Sequence, residues 1–582
     1  MVKQEKSDWQ LISRLWAHIV DRRRVVLTTL IFIPLGTLAE LGQPLLLKYA
    51  IDDGITKNDL SILPLAASIF VGLVLTGFVS KTFGMYTLQK AGLKTIAGLR
   101  STIFKHVMGQ GQGFFDKRTT GSIMTRTIND VEAIYESLAW GAVGLIADAL
   151  MIVGTFVVML TLDWKLSLVS FALSPVIVLV VNLFRKRLRV FYTRIRKALS
   201  SLNGYFAEQI HGMQVVQMNG AQERALKDFR SQAHDYLDTY RKANWWDAGL
   251  YAIMDGMSAL AVGIMLAYGA YAIGLEMTGV TLGLLVAFID YLTKVFVPIR
   301  ELSGRMAMIQ RSAAALERVF GLLDTDTTTV DGPKRLRRGS GLISFKDVDF
   351  SYSPNGPQVL KKIQFEVKPG EVVAIVGATG SGKTTISKLL LRQYDGYAGE
   401  VCLDGIELRN LAKRDVRASI AVVQQDPFLF QGSVAENVKL WNPDVTLEAV
   451  RTAAEQAHAA RFINGLPGAY DFQVSDRGGN LSAGQRQLVS IARAFALNAP
   501  VVILDEATSS VDSVTEQLID GAIDRLFEDR TVLVIAHRLS TIAKADRILV
   551  LDKGEIVQSG SHQILAKQPG RYRHLVETGF SV

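Results

Sequence analysis

The chain has 582 residues, of which 49% are hydrophobic and 20% are charged, and its formal net charge is +9. Its length exceeds what a single hydrophobic core usually supports, so at least two domains are expected. The composition is too apolar for an ordinary soluble protein and too charged for a protein that lies wholly in lipid. The basic runs at 22–24 and 185–189 border apolar stretches, which is typical of cytoplasmic membrane edges and argues against nucleic-acid binding. The single cysteine, Cys402, excludes an internal disulfide.

Residues 1–24 contain an amphipathic segment, WQLISRLWAHIV, which precedes the first apolar stretch. A helix through this segment places Trp9, Trp16 and Ile19 on roughly one face. We predict an interfacial helix that leads the chain into the membrane. An ordinary amphipathic surface helix would show the same periodicity and is the alternative.

Six stretches are apolar enough to span a bilayer, which takes about 20 residues of helix. They cover residues 25–49, 60–80, 138–162, 166–184, 250–275 and 280–299. The stretches form pairs, because only the short segments DDGITKND, DWK and EMTG separate the members of each pair. The connections 81–140 and 185–246 are long, basic and periodic like helices. We therefore predict external short loops and long helices that project into the cytosol, and we favour these helices over disordered linkers.

The sequence becomes polar from about Thr325 to Gly341 and contains Gly and Pro there, which predicts a linker at 321–341 between a transmembrane domain at 25–320 and a second domain at 342–582. The second domain alternates helical segments with short apolar runs such as EVVAIVG, VVILDEA and TVLVIAH. This alternation predicts a sheet with flanking helices. The predicted fold is therefore multi-domain, with an all-α six-helix transmembrane domain followed by an α/β domain.

The run EVVAIV leads into GATGSGKTT, which fits the phosphate-loop pattern G-x-x-x-x-G-K-[ST] and opens the helix TTISKLLL. Glycines let such a loop wrap closely around phosphate oxygens, at which backbone N–H groups and the helix N-terminus point. Lys383 would neutralise phosphate charge, and the Thr384 hydroxyl would bind Mg²⁺. The predicted nucleotide-binding residues of this loop are Gly377, Ala378, Thr379, Gly380, Ser381, Gly382, Lys383, Thr384 and Thr385.

The apolar run VVILDE ends in two carboxylates, Asp505 and Glu506. Because side chains alternate along a strand, the two carboxylates face different points. One can contact Mg²⁺ while the other reaches an attacking water, which is the division of roles that ATP hydrolysis needs. Two acids that merely end a strand are the alternative, which the upstream phosphate loop disfavours.

The ordered motifs of the second domain resemble those of the nucleotide-binding domain of ABC transporters. LSAGQ at 481–485 is similar to the ABC signature, VVQQDPFLF to the Q-loop, SSVD to the D-loop and IAHRLS to the switch segment, while DRG precedes the signature as in exporters. An aromatic residue stands where the family stacks a ring on adenine. The residues that these matches add are Tyr352, Gln425, Ser482, Ala483, Gly484, Gln485, Asp512 and His537.

The resemblance implies that ATP and Mg²⁺ are the cofactors. It implies catalytic roles for Glu506, His537, Lys383 and Gln425, and Mg²⁺ contacts from Thr384, Gln425 and Asp505. In the family, two cassettes sandwich two nucleotides, and each signature contacts the ATP of the opposite cassette. One cassette, six spans and no internal repeat therefore predict a half-transporter that works with a second chain.

One residue departs from the family pattern, because Ala483 stands where the signature usually has glycine. A methyl group there crowds the approach of the backbone to phosphate without forbidding it. Glu506 and His537 are intact. In heterodimeric members of the family, a chain with an intact glutamate often pairs with one that lacks it, so we favour a heterodimer over a homodimer.

The whole chain resembles a type IV ABC exporter, in which GFFDKRTTGSIMTRTINDVEAI and EQIHGMQVVQMNGAQER are similar to the two coupling regions. The resemblance implies ATP-driven export or flipping of drugs or lipids. It also implies a plasma membrane, in particular the inner membrane of a bacterium, with the cassette and both termini in the cytosol. An ATP-gated channel or regulatory membrane ATPase, and an importer of the same architecture, are the alternatives.

Four acids fall in or near the predicted spans: Glu40, Asp148, Asp255 and Asp290. Ionisable groups at membrane depth are expensive and often functional. One hypothesis is an acidic cavity that favours cationic amphiphiles. The alternative is structural pairing or hydration, since Asp290 and Lys294 are four residues apart and Glu40 lies near the end of its span.

Overall fold

The computed structural model describes residues 8–18, 22–172, 174–274, 280–336, 339–505, 512–535 and 539–577. The chain divides into two compact units. The first unit comprises Met1–His106 and Gly121–Thr325, and the second comprises Val107–Thr120 and Asp326–Val582. The sequence-based domain bounds, 1–24, 25–320, 321–341 and 342–582, stay predictions.

The first unit is built from helices. They are Asp8–His18, Arg22–Tyr49, Ile62–Gly109 (which ends inside the second unit), Thr120–Thr125, Val131–Glu136, Val143–Leu162, Trp164–Phe171, Ser174–His211, Met213–Met218, Gln222–Gly274 and Leu282–Leu323, with π-helical turns at Ala50–Ile55, Arg126–Asp130 and Ser137–Ala142. Side-chain caps fix some of the helix starts: Asp163 accepts from Leu166 N at 2.7 Å, and Thr281 accepts from Leu284 N at 3.1 Å. The long basic connections are helical, as predicted, and Gln222–Gly274 alone has 53 residues.

Five helices among the described residues are long and apolar enough to cross a membrane. They are Ile62–Gly109, Val143–Leu162, Trp164–His211 (the helices Trp164–Phe171 and Ser174–His211 counted as one), Gln222–Gly274 and Leu282–Leu323. Each contains most of one predicted span. The first predicted span, 25–49, lies in the helix Arg22–Tyr49 and stays a prediction as a span.

The segment predicted to be interfacial forms the helix Asp8–His18, and Ile19 lies outside the described residues. Leu11 and Leu15 of this helix are buried, whereas Trp16 is 44% exposed. Arg14 forms an ion pair with Asp324 at 2.7 Å. The helix therefore packs against the first unit through its leucine face, and its indole stays accessible.

The second unit contains twelve strands among its described residues. They are β1 Ile343–Phe350, β2 Leu360–Val367, β3 Val372–Val376, β4 Tyr397–Leu403, β5 Ile406–Glu407, β6 Ile420–Val423, β7 Gly432–Ser433, β8 Gln473–Val474, β9 Val501–Asp505, β10 Thr531–Ile535, β11 Arg547–Asp552 and β12 Glu555–Gly560. They form an antiparallel sheet in the order β2-β1-β4-β5, a six-stranded sheet in the order β12-β11-β3-β10-β9-β6, and the pair β7-β8. In the six-stranded sheet only β12 runs antiparallel to its neighbour.

The second unit also contains helices, several of which contribute buried residues to its core. They are Gln112–Asp116, Lys383–Leu390, Lys413–Ala418, Val434–Lys439, Leu447–Gln456, Ala460–Asn464, Ala483–Leu497, Ser513–Phe527, Leu539–Ile542, His562–Leu565 and Arg571–Glu577. Strands β3, β9 and β10 are continuous apolar runs because a parallel strand is buried on both faces. The predicted architecture, a helical domain followed by an α/β domain, is confirmed.

Residues 326–336 are hydrogen-bonded along the second unit. Lys334 N donates to Asn410 O at 2.9 Å, and Leu336 N donates to Asp415 Oδ2 at 3.0 Å. Arg392, buried directly after the helix Lys383–Leu390, donates to Val330 O at 2.5 Å. The C-terminal part of the segment predicted to be a linker is therefore anchored along its length.

Candidate functional site

The phosphate loop lies between β3 and the helix that begins at Lys383. Gly380 and Gly382 have φ angles of 82° and 108°, which side chains rarely tolerate. A methyl group on Gly377 would lie 2.2 Å from Leu551 O, and one on Gly382 would lie 2.7 Å from a leucine side chain. Torsion and close packing thus both require glycine in this loop.

Lys383 points back over the loop, where its Nζ donates to Gly377 O at 2.6 Å and to Ala378 O at 3.0 Å. The residue is only 5% exposed, whereas Thr384 next to it is exposed. Ser381 is 4% exposed, and its hydroxyl is without a hydrogen-bond partner among the described residues. A buried ammonium and an unsatisfied hydroxyl at a helix N-terminus suit an anion, so the loop fits a nucleotide phosphate chain.

The sheet brings Asp505 and Gln425 to the same edge as the phosphate loop. Ile535 of β10 is the register partner of both Ile375 and Asp505, so Asp505 is level with Ile375, near the C-terminal end of β3. The two strands are about 10 Å apart, since strands are spaced by about 4.8 Å. Val423 pairs with a residue of β9, and the exposed Gln425 follows two residues later. Thr384, Gln425 and Asp505 thus offer the hard oxygen donors that Mg²⁺ prefers.

Two predicted catalytic residues, Glu506 and His537, lie outside the described residues. Residues 509–511 of the predicted D-loop lie outside them as well. Their roles stay predictions. Asp512 is described and caps the helix Ser513–Phe527 by accepting from Thr515 N at 2.9 Å. This hydrogen bond lowers the pKa of Asp512.

Tyr352 lies beside the helix that follows the phosphate loop. Its hydroxyl is 3.0 Å from Thr385 Oγ1, and Lys388 Nζ is 5.5 Å from its ring centroid. The ring meets Phe350 and Tyr394 edge-on, with centroids 5.0 and 5.2 Å away, yet the residue is 41% exposed. An aromatic ring that is supported by two other rings and still partly exposed can stack on a planar base.

The signature segment opens the helix Ala483–Leu497. Ser482 and Gln485 form a reciprocal cap: Ser482 Oγ accepts from Gln485 N at 3.2 Å, and Gln485 Oε1 accepts from Ser482 N at 2.9 Å. Ser482 and Ala483 are exposed, while Gly484 is buried. Ala483 takes the first helical position, where its methyl group causes no backbone strain. The arrangement presents a helix N-terminus to an approaching anion.

Arg493, ten residues further along this helix, was missed by the sequence reasoning. Its guanidinium donates to Asn437 O at 2.6 Å, to Phe428 O at 2.7 Å and to Asn437 Oδ1 at 2.9 Å. Burial lowers the pKa of Arg493 to about 10. Arg493 therefore joins the signature helix to the segment just beyond Gln425. The signal for it was an arginine inside the apolar run SIARAFAL.

Three of the four acids in or near the predicted spans have basic neighbours. Asp148 Oδ2 lies 2.7 Å from Arg305 Nε, Asp290 Oδ2 lies 2.9 Å from Lys294 Nζ, and Glu40 pairs with a lysine. These contacts favour the structural-pairing alternative over an acidic cavity for three of the four acids. The distances hold the charges in ion pairs, which lowers the cost of ionised groups at membrane depth.

Two family models match the chain. The model of the ABC transporter transmembrane region matches residues 26–299, and the ABC transporter model matches residues 360–509. The first covers most of the helical unit. The second begins at β2 and contains the phosphate loop, the Q-loop, the signature segment and Asp505.

Curated relatives match almost end to end. A putative multidrug export ATP-binding/permease protein, YgaD of Bacillus subtilis, is 34% identical over 92% of this chain and 93% of its own length. An ATP-dependent lipid A-core flippase of Mannheimia succiniciproducens is 33% identical over 100% of this chain and 99% of its own. Among solved structures, a bacterial Atm1-family ABC exporter with ATP bound superposes with a TM-score of 0.75 at 27% identity, covering 96% of this chain and 98% of that one.

Proposed function

The chain belongs to the ABC transporter family, whose members couple ATP hydrolysis to transport across a membrane, and we propose that it exports or flips a lipid or another amphipathic compound as a dimer of half-transporters. One observation carries the proposal. A phosphate loop, Asp505 and Gln425 share one sheet edge, and the described part of the other unit contains five helices apolar enough to cross a membrane.

The proposed hydrolytic site divides its tasks among the residues at this edge. The loop N–H groups and Lys383 bind the phosphates, and Tyr352 stacks on adenine. Thr384, Asp505 and Gln425 hold Mg²⁺, which neutralises phosphate charge when bound. Glu506 accepts the proton of the attacking water, and His537 holds the γ-phosphate.

The substrate class rests on the relatives and on the membrane unit. A lipid A-core flippase and a multidrug export protein are both related along their whole length, so an amphiphile is the shared chemistry. Ion pairing of Asp148 and Asp290 leaves less uncompensated negative charge than a cation-selective cavity would need. We therefore place lipids ahead of cationic drugs.

The partner chain completes each site, because a signature segment acts on the ATP of the opposite cassette. We propose a heterodimer, with the intact Glu506 on this chain and Ala483 acting on the partner's nucleotide. Expression of this chain alone tests the point. Full ATPase activity from one homogeneous chain would refute the heterodimer. In that case two copies of the chain would face each other, and Ala483→Gly should raise ATP turnover if the alanine slows hydrolysis of the ATP in the opposite cassette.

We further propose that the protein lies in a bacterial inner membrane, with both termini and the ATP-hydrolysing unit in the cytosol. The support is the distribution of arginine and lysine, which are concentrated in the long connections, whereas each short loop contains at most one lysine. Protease digestion of inside-out vesicles tests it. The cytosolic assignment requires that cleavage within the linker occurs in inside-out vesicles and not in intact cells.

Reconstitution into liposomes tests the function. Two probes distinguish the substrate classes: a fluorescent phosphatidylethanolamine, whose movement between leaflets dithionite quenching reports, and a cationic dye. ATP should drive lipid movement, and Glu506→Gln should abolish hydrolysis and movement while ATP still binds. Ion conductance with ATP and no lipid movement would favour the channel alternative. Turnover that survives Glu506→Gln would refute the assignment of the base.

A further inference from the structure

A hairpin turn from near the end of the chain lies against the phosphate loop. Strands β11 and β12 are joined by Lys553 and Gly554, whose φ angles are both positive, at 47° and 88°. Positive φ at both central residues is the arrangement of a type I′ turn, which favours glycine. Lys553 is exposed, but Gly554 is buried. Because turns usually lie at the surface, a buried turn glycine indicates contact with another part of the fold.

Both main-chain polar groups of Gly554 are hydrogen-bonded to neighbouring backbone. Its N–H donates to Ser381 O of the phosphate loop at 3.1 Å, and its carbonyl accepts from Lys361 N of β2 at 2.8 Å. A methyl group on Gly554 would lie 2.4 Å from Val359 O, so the backbones meet without room for a side chain. The turn therefore joins the phosphate loop to the start of β2 through main-chain atoms alone.

The two ends of the phosphate loop pack against the same strands. A methyl group on Gly377 would lie 2.2 Å from Leu551 O of β11. One on Gly382 would lie 2.7 Å from the Leu360 side chain and 3.2 Å from Val359 O, at the start of β2. The loop is thus supported at both ends by β11 and β2, and between them by the turn.

We propose that Gly554 is a positioning residue for phosphate binding, because its N–H holds the Ser381 carbonyl and thereby orients the Gly382 N–H. The carbonyl and this N–H belong to one planar trans peptide, across which they point in opposite directions. A carbonyl held by the turn therefore directs the N–H away from the hairpin, to the side from which a phosphate can approach. The inference rests on the proposed function in one respect, the binding of phosphate by this loop.

The test compares two turns of the same type in the full-length protein in lipid nanodiscs. Strands β4 and β5 are joined by Asp404 and Gly405, whose φ angles are 52° and 76°. Around a methyl group placed on Gly405, no atom of the described residues beyond its chain neighbours lies within 4 Å. Gly554→Ala and Gly405→Ala therefore introduce similar torsional strain, but only Gly554→Ala displaces a turn that contacts the phosphate loop.

Calorimetry in EDTA, which removes the Mg²⁺ that hydrolysis needs, gives the Kd of ATP and of inorganic tripolyphosphate. Gly554→Ala should raise both values by about two- to tenfold, the range that one hydrogen bond covers. The factor should be the same for the two ligands, because the loop binds phosphates and not the base. Gly405→Ala should lower Tm but leave both Kd values unchanged, so Kd is the readout that a merely structural glycine would not move.

Hydrogen exchange of the wild-type protein gives a second test, which decides the matter if Gly554→Ala does not fold. Coupling is reciprocal, so a bound anion must strengthen the bond from Gly554 to Ser381 by the factor by which that bond strengthens anion binding. Saturating tripolyphosphate should therefore slow exchange of the Gly554 amide by about two- to tenfold. Exchange of the Gly405 amide should not change.

Unchanged Kd values in folded Gly554→Ala would overturn the proposal, as would exchange at Gly554 that tripolyphosphate does not slow. Lys383→Met separates this failure from a failure of the proposed function. If Lys383→Met binds tripolyphosphate as tightly as the wild type, the loop is not the phosphate site and the nucleotide assignment itself is wrong. If Lys383→Met loses binding while Gly554→Ala keeps it, only the role of the hairpin turn fails.

Discussion

Arg493 joins two parts of the ATP-binding unit, and its replacement by methionine is the most informative single test of that unit. Methionine keeps most of the aliphatic stem and removes the guanidinium. Phe428 O and Asn437 O each lose a donor, and Asn437 Oδ1 loses one of two, since it also accepts from Phe430 N at 2.8 Å. Asn437 is 2% exposed, so water cannot readily replace the lost hydrogen bonds.

The expected loss follows from the hydrogen bonds of the guanidinium. Hydrogen bonds to a charged group stabilise by about 1.5–3 kcal/mol each, a figure that already includes the cost of desolvation. The three bonds belong to one network and two of them go to Asn437, so their contributions do not add in full. The expected destabilisation from Arg493→Met is therefore about 3 kcal/mol, which corresponds to one or two of these bonds.

Thermal unfolding of the detergent-solubilised protein measures this loss. For a domain of this size, about 3 kcal/mol corresponds to a fall in Tm of roughly 6–12 °C. Arg573→Met is the matched control, because Arg573 pairs with Glu577 at 2.7 Å on the surface and exposed ion pairs stabilise by less than about 1 kcal/mol. A Tm for Arg493→Met as close to wild type as that of the control would refute the proposed role of the network.

Three further outcomes are expected. Gly382→Ala should abolish ATP binding in calorimetric titration, because its φ is 108° and a methyl group would meet a leucine, whereas Gly396→Ala, with open space around it, should leave Kd within about twofold. The Tm of the wild-type protein should fall when the pH is lowered from about 7.5 to about 5.5, and His458→Asn should make this fall smaller. Burial lowers the pKa of folded His458 below 6.5, so its contribution to stability is complete above pH 6.5 and is lost at lower pH, where the unfolded chain takes up the proton. Asparagine tolerates the φ of 54° at this position. Arg305→Met should lower the folded yield in size-exclusion chromatography by removing the cation 2.7 Å from the Asp148 carboxylate, which is only 13% exposed, and adding Asp148→Asn should restore it.

Locally encoded features were predictable from the sequence. The phosphate loop needed only glycine spacing, a preceding apolar run and a following helix, and the structure has all three around Lys383. The signature segment likewise contains its own helix start, since Ser482 and Gln485 cap each other within four residues. Parallel strands could be recognised because burial on both faces makes them continuously apolar.

Contacts between distant residues were decided only by the tertiary structure. Tyr394 and Asp116 are 278 residues apart, and nothing in either local sequence indicates the other. The pairing of Asp148 with Arg305 depends on which helices pack together, so the sequence left both an acidic cavity and a structural pairing open and did not indicate Arg305 as the partner. The sequence by itself determined what kind of chemistry each segment carries, because torsion, capping and hydrophobic period act over a few residues. The tertiary structure decided which groups meet, because a side chain reaches only a few ångströms and packing chooses its neighbours.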